Sequence, residues 1–226
     1  MHVLTNVSCK KLMRSEMDML EAEFTTEEVW DVLDKCDGNK APGPDGLNLN
    51  FFKAHWEVIR EDFMRFIKEF HKDGTLVKDL NNTFLTLILK TLNPVSMGDF
   101  MPISLIGAMY KIFAKVLANL IKKVMHSIIG EFQMAFVKGR QIIDSFVIAE
   151  EIINMWKKDQ VEGLLVKLDF EKAYDSVDHG LLDYMMECMG FGDRWRGWIC
   201  NCISTPFLSV LVNGSPTSQF SLERGH

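Results

Sequence analysis

Two aspartates six residues apart, Asp169 and Asp175, stand in LLVKLDFEKAYDSVDH, where an aliphatic run ends in a carboxylate. An unpaired charge at the tip of a buried strand is costly to desolvate, so Asp169 either caps a turn or faces something positive. Phosphoryl and nucleotidyl transfer use carboxylates presented this way, because Mg²⁺ takes one or two of them together with substrate phosphates. Two plainer roles stay open on spacing alone. Asp169 could pair with a lysine, and Asp175 or Asp178 could cap the helix that follows.

KAPGPDG, Lys40 to Gly46, is a second candidate. Two glycines and two prolines at fixed offsets make a rigid turn with free amide donors beside a lysine, suited either to a phosphate backbone or to connecting two helices. A third is a local charge imbalance. From Met101 to Arg140 the sole acid is Glu131, against Lys111, Lys115, Lys122, Lys123, Lys138 and Arg140. That stretch could face phosphates or be a solvated helix face.

The elements that must position these residues are mostly helical. Thr25 with Glu28 three residues on reads as a capping box opening a helix. Phe52, Trp56, Ile59, Phe63, Ile67 and Phe70 make a core stripe on a helix from about 50 to 72, ended by Gly74. A strand is expected over 83–90 and a long helix over 101–130, with Ile112, Val116, Leu120 and Val124 on one face and the lysines on others. Ile142, Phe146, Ala149, Ile153 and Trp156 align on a further helix. Alternation predicts a strand from Leu164 to Phe170, helix resumes around Leu181 to Met189, and Asn213-Gly214 marks a hairpin.

The chain has 226 residues, 47% hydrophobic and 25% charged, enough for a sizeable core. Its net charge of -6 argues mildly against a nucleic-acid partner, although distribution matters more than the total. The five cysteines form no zinc spacing and suit a reducing compartment. With no signal-peptide or membrane-length apolar run, an intracellular protein in cytoplasm or nucleus is expected. No linker divides the chain, so the expected class is α+β.

Taken in order, KAPGPDG, MPISLIGAMYKIFAKVLANLIKKV, QMAFVKGRQIIDSF, LDFEKAYDSV and SVLVNGSPTSQFSLERG resemble the reverse transcriptase domain of non-LTR (LINE-type) retrotransposons, closest to elements of plant genomes. The resemblance runs from about Phe24 to Gly225. It implies a right-hand polymerase fold, with helical fingers over about 25–160 and the start of an antiparallel palm sheet over about 161–226. Residues 1–24 form a weakly defined leading segment. Asp169 matches the family's first metal-binding aspartate, with the backbone carbonyl of Phe170 beside the same Mg²⁺. Tyr174 matches the aromatic gate that favours deoxynucleotides. Lys40, Gly43, Asp45 and Gly46, with Lys138, Gly139 and Arg140, match segments near the template. The implied partners are an RNA template, a DNA primer and deoxynucleoside triphosphates, without a membrane.

This chain also departs from the pattern. Met101 stands where the family has an arginine before PISL, Leu120 where it has the arginine of ANRL, Leu89 where it has a proline and His179 where it has tryptophan. The family's later glutamine-glycine-aspartate-proline motif and its paired aspartates are not reached before His226. The expectation is a truncated palm and a chain inactive by itself, the alternative being a non-catalytic nucleic-acid-binding remnant or decayed retroelement product.

Overall fold

A computed structural model describes residues 9–135, 137–166, 177–204 and 206–221. Helices α1 (Arg14–Leu20), α2 (Thr26–Lys35), α3 (Leu49–Ala54) and α4 (Trp56–Asp73) come first. Strands β1 (Thr83–Leu89) and β2 (Phe100–Ile106) precede α5 (Ala108–Ile128) and α6 (Ile142–Asp159). Then follow α7 (His179–Cys188), α8 (Asp193–Ser204), β3 (Phe207–Val212), β4 (Ser215–Pro216) and β5 (Phe220–Ser221).

Local signals explain several boundaries. Thr25 Oγ1 accepts from Glu28 N at 3.1 Å while Glu28 Oε2 accepts from Thr25 N at 3.3 Å, closing the capping box on α2. Gly74, at φ 70°, ends α4 in the left-handed conformation that a side chain disfavours. The stripe read as one helix is two, because the backbone leaves helical geometry at His55, whose ring stacks on Phe51 at 4.5 Å.

One core joins α1–α5, α7 and α8. Rings run through it in near-continuous contact: Phe24 to Trp198 (5.6 Å), Trp198 to Phe70 (5.6 Å), Phe70 to Phe113 (4.5 Å), Phe113 to Phe66 (5.8 Å) and Phe66 to Phe63 (6.0 Å). The weakly patterned leading segment takes part, since Leu12, Leu20 and Phe24 are buried. Leu12 N donates to Met189 O at 2.9 Å, and Glu21 Oε1 accepts from Trp195 N at 3.1 Å, tying that segment to α7 and α8.

Helix α8 falls in a stretch to which periodicity assigned nothing. Its buried face is narrow, Trp195 and Trp198 with half-buried Ile199 and Cys202 behind them, and Gly197 interrupts the pattern. Arg196 clamps α8 to α7: Nε and Nη2 donate to the two Asp183 oxygens at 2.8 and 2.7 Å, with Glu187 at 3.3 Å. That hydrogen-bonded guanidinium holds the Asp183 carboxyl below its ordinary value. A depressed acid contributes stability that is present at neutral pH and lost as pH falls through its folded-state pKa. Acid titration of Asp183→Asn, followed by far-ultraviolet circular dichroism, is expected to show a weaker loss of stability at low pH than wild type. An identical acid limb in both proteins would contradict the clamp's role.

The sheet corrects one expectation. Its order is β2-β1-β3-β4, with β5 also on β3. Met101 to Ile106 is strand, not the start of the long helix: β2 pairs antiparallel with β1 from Thr83↔Ile106 to Leu89↔Phe100. Pro102 cannot sit inside a helix without breaking it, and an edge strand tolerates its missing N–H. The sheet as a whole is mixed: β3 pairs antiparallel with β4 and β5, and in parallel with β1 at Thr83↔Leu208 to Leu85↔Val210. The β3–β4 turn has both Asn213 (φ 52°) and Gly214 (φ 80°) left-handed, as a type I′ hairpin requires.

The strand predicted from Leu164 to Phe170 is absent over its first three residues. Leu164, Leu165 and Val166 lie outside any strand and are exposed. Alternation supplies a face but no ladder partner, and a lone strand leaves its backbone groups to water. The remainder of that prediction lies outside the described residues.

Candidate nucleic-acid interface

Helix α5 organises the basic region. Its inner face, Ile112, Phe113, Val116, Leu117, Leu120, Val124 and Ile128, is buried in the core. The first amides and last carbonyls of a helix have no partners within it. Here the distant loop of Asp45 meets the first amide, and Arg140 meets the C-cap carbonyl of Ile129 and the carbonyls that follow it.

At the leading end, the residue before the helix is Gly107, which has no side chain to offer. Asp45 takes its place: Oδ2 accepts from Ala108 N at 2.5 Å, and Oδ1 accepts from Leu47 N at 3.2 Å, folding the loop back on itself. A carboxylate there also opposes the positive end of the helix dipole. Gly43 makes the approach possible, because a Cβ on it would lie 2.3 Å from Ile106 C and 2.4 Å from Gly107 N. Gly46 turns the chain at φ 68° into open space. Lys40 stands exposed at the start of this loop.

At the trailing end, the Arg140 guanidinium donates to the carbonyls of Gly130, Gln133 (2.7 Å) and Ile129 (3.3 Å), just beyond the last turn. A cation there suits the negative end of the dipole. Gly139, at φ 84°, has no atom within 4 Å of where a Cβ would stand, and Lys138 is exposed. Of the seven residues matched to template segments, then, Asp45, Gly43 and Arg140 are engaged with α5. Lys40 and Lys138 are free to meet solvent or a ligand. Sequence reasoning did not find the capping roles; the partner of Asp45 is 63 residues away.

Beside the loop, a cleft of about 420 Å³ lies between Asp45, Leu47 and Phe52 on one side and Val77 to Leu80 on the other. Asn82 lines it, and its amide donates to Asp79 Oδ1 at 3.0 Å. On β2, Met101 is 47% exposed, an apolar side chain where the resemblance expects a cation.

The residues of the expected metal site, Asp169 and Phe170, and the aromatic gate, Tyr174, lie outside the described residues. Asp178, just after them, caps α7 by accepting from Leu181 N at 2.9 Å. Among the described residues no group of three His, Cys, Asp or Glu is placed to hold a metal ion. None of the described helices is long and apolar enough to cross a membrane.

Helices around one core with a small mixed sheet are consistent with a polymerase fold. Comparison with known proteins identifies the class: residues 88–225 match the family described as reverse transcriptase (RNA-dependent DNA polymerase), and the chain belongs to that family. Its relatives include the transposon TX1 uncharacterized 149 kDa protein of Xenopus laevis, 29% identical over 208 residues, which cover 92% of this chain and 16% of that protein. Retrovirus-related Pol polyproteins from type-1 retrotransposable elements are also similar. That of element R1 from Bradysia coprophila is 25% identical over 72% of this chain and 17% of its own length. That of element R2 from Nasonia vitripennis is 25% identical over 74% and 16%. The chain thus spans about a sixth of the length of these relatives.

Proposed function

We propose that the chain is the reverse transcriptase domain of a non-LTR, LINE-type retrotransposon of the kind found in plants. It would contribute the first metal ligand and the template-side fingers to RNA-directed DNA synthesis. The observation that carries this reading is the family match over residues 88–225, which spans LDFEKAYDSV. Relatives named for retrotransposable elements support the retroelement assignment.

In this reading Asp169 and the Phe170 carbonyl present hard oxygen donors, the set that Mg²⁺ takes. The ion, when bound, would supply Lewis-acid stabilisation of the charge that develops as a primer 3′-hydroxyl attacks a deoxynucleoside triphosphate. Tyr174 would fill the space beneath the sugar and collide with a 2′-hydroxyl. Asp178 would help fix where that segment ends by starting α7, and the Arg196 clamp holds α7 to α8. Lys40 and Lys138 would approach template phosphates, while Asp45 and Arg140 keep α5 in place between their loops.

A metal-directed cleavage experiment tests the assignment without requiring polymerase turnover. Fe²⁺ substituted for Mg²⁺, with ascorbate and peroxide, releases hydroxyl radicals where it binds. Backbone cleavage is expected near 169–175 in the wild type, competed by Mg²⁺ and lost in Asp169→Asn. The same cleavage in Asp169→Asn, or none near this segment in wild type, would overturn the metal role. A non-catalytic nucleic-acid-binding remnant is favoured by one feature, the exposed Met101 in place of a triphosphate-reaching arginine. It predicts binding of primed RNA without cleavage at 169–175.

A further inference from the structure

Helix α5 carries a row of lysines that neither the core nor the capping loops use. On a helix of 3.6 residues per turn, Lys111, Lys115 and Lys122 follow one another at spacings of four and seven. They therefore lie along a single line, opposite the buried face of Ile112, Val116, Leu120 and Val124. Ala118 sits on the same line, and Lys115 and Lys122 are exposed while Lys111 is half-buried.

The charges along this line are uncompensated. α5 contains no aspartate or glutamate. Elsewhere cations are answered by acids one turn away, as in Arg14–Asp18, Lys35–Asp31 and Arg60–Glu57. On α5 the flanking lysine, Lys123, pairs with Glu28 of α2 at 3.2 Å. Two further acids reach this helix without meeting the row: Glu16 of α1 accepts from Ser127, and Asp45 accepts from the Ala108 amide. Among the described residues Lys111, Lys115 and Lys122 have no carboxylate within ion-pair distance. Like charges at i and i+4 destabilise an isolated helix, so Lys111 and Lys115 oppose the fold they sit on.

We infer that this row is a track for one strand of a nucleic-acid backbone, the RNA–DNA primer–template duplex. The track runs along the outer face of α5, between the loops of Lys40 and Lys138. Its chemistry is that of a linear polyanion receptor. The lysines span about 16 Å of helix axis, a length over which one strand presents successive phosphates. The row is one residue wide, so it complements a strand rather than a broad anionic surface. Asp45 and Arg140 act on it indirectly, by fixing both ends of the helix that carries it. The inference rests on the reverse transcriptase reading for the identity of its partner alone.

Fluorescence anisotropy with a labelled primed RNA, across a series of salt concentrations, tests it. Each phosphate contact contributes roughly 0.7–0.9 to the slope of log affinity against log salt. Lys111→Gln, Lys115→Gln and Lys122→Gln together are expected to flatten the slope by about two to three. The corresponding triple arginine variant should retain it. Arg14→Gln, Lys35→Gln and Arg60→Gln remove the same charge from paired sites and should leave the slope within one unit of wild type. An unchanged slope in the glutamine variant, or equal flattening in both glutamine triples, would overturn the track. So would wild-type binding to phosphatidylserine vesicles without binding to the duplex. The Fe²⁺ cleavage at 169–175 reads the metal assignment independently, so failure of one is distinguishable from failure of the other.

Discussion

Trp198→Ala is expected to cost the domain about 3–5 kcal/mol, the range for removing a buried tryptophan. Trp198 is 1% exposed and its ring meets Phe24, Phe70, His71 and Trp195 at centroid distances of 5.2 to 5.9 Å. It is where α8 joins the aromatic core laid down by α4 and α5, so the cavity would open between elements from opposite ends of the chain. Against a whole-domain stability of roughly 5–15 kcal/mol, that loss leaves a protein close to unfolding. Urea denaturation should show a large fall in midpoint. Trp198→Phe should be far milder, because the indole N–H is buried without an acceptor among the described residues and phenylalanine removes that unmet donor. Equal midpoints for the alanine variant and wild type would mean that α8 contributes little to the core.

Gly43→Ala is the second large effect. The added methyl would lie 2.3 Å from Ile106 C and 2.6 Å from Ile106 O, against backbone that has no side-chain freedom with which to yield. The KAPGPDG loop must lift away, and Asp45 leaves Ala108 with it. Hydrogen exchange at the first turn of α5 should therefore quicken, together with a fall in melting temperature. Asp45→Ala removes the cap alone and is expected to cost about 1 kcal/mol. Gly46→Ala meets no atom within 4 Å but is strained by its φ of 68°, again about 1 kcal/mol. The ordering is the test: if Gly43→Ala were no worse than Asp45→Ala, the close approach would not be what holds the loop.

These variants also separate two roles that one motif combines. Asp45 and Gly43 were read with Lys40 as template contacts, since a Gly- and Pro-rich turn beside a lysine suits phosphate. In the fold, Asp45 and Gly43 hold the start of α5, whereas Lys40 is exposed and makes no bond to it. Arg140 parts from Lys138 in the same way at the other end. A salt-slope measurement would assign each residue to one role, because capping changes stability without changing the number of phosphates met.

What the sequence determined by itself was local chemistry and family membership. The Thr25–Glu28 box, the Gly74 stop and the Asn213-Gly214 turn are each settled within four residues of chain, by hydrogen bonds and φ preferences that need no distant partner. The reverse transcriptase motifs are equally local strings. Tertiary structure decided whatever depended on a partner far along the chain. Residues 101–106 became strand because β1 offers them a ladder, and β3 takes β1 as a parallel partner from far back in the chain. Trp195 and Trp198 became core because α4 and the leading segment close over them. Asp45 became a helix cap because folding brings it to the start of α5, where an unpaired amide requires a partner that the helix cannot supply to itself.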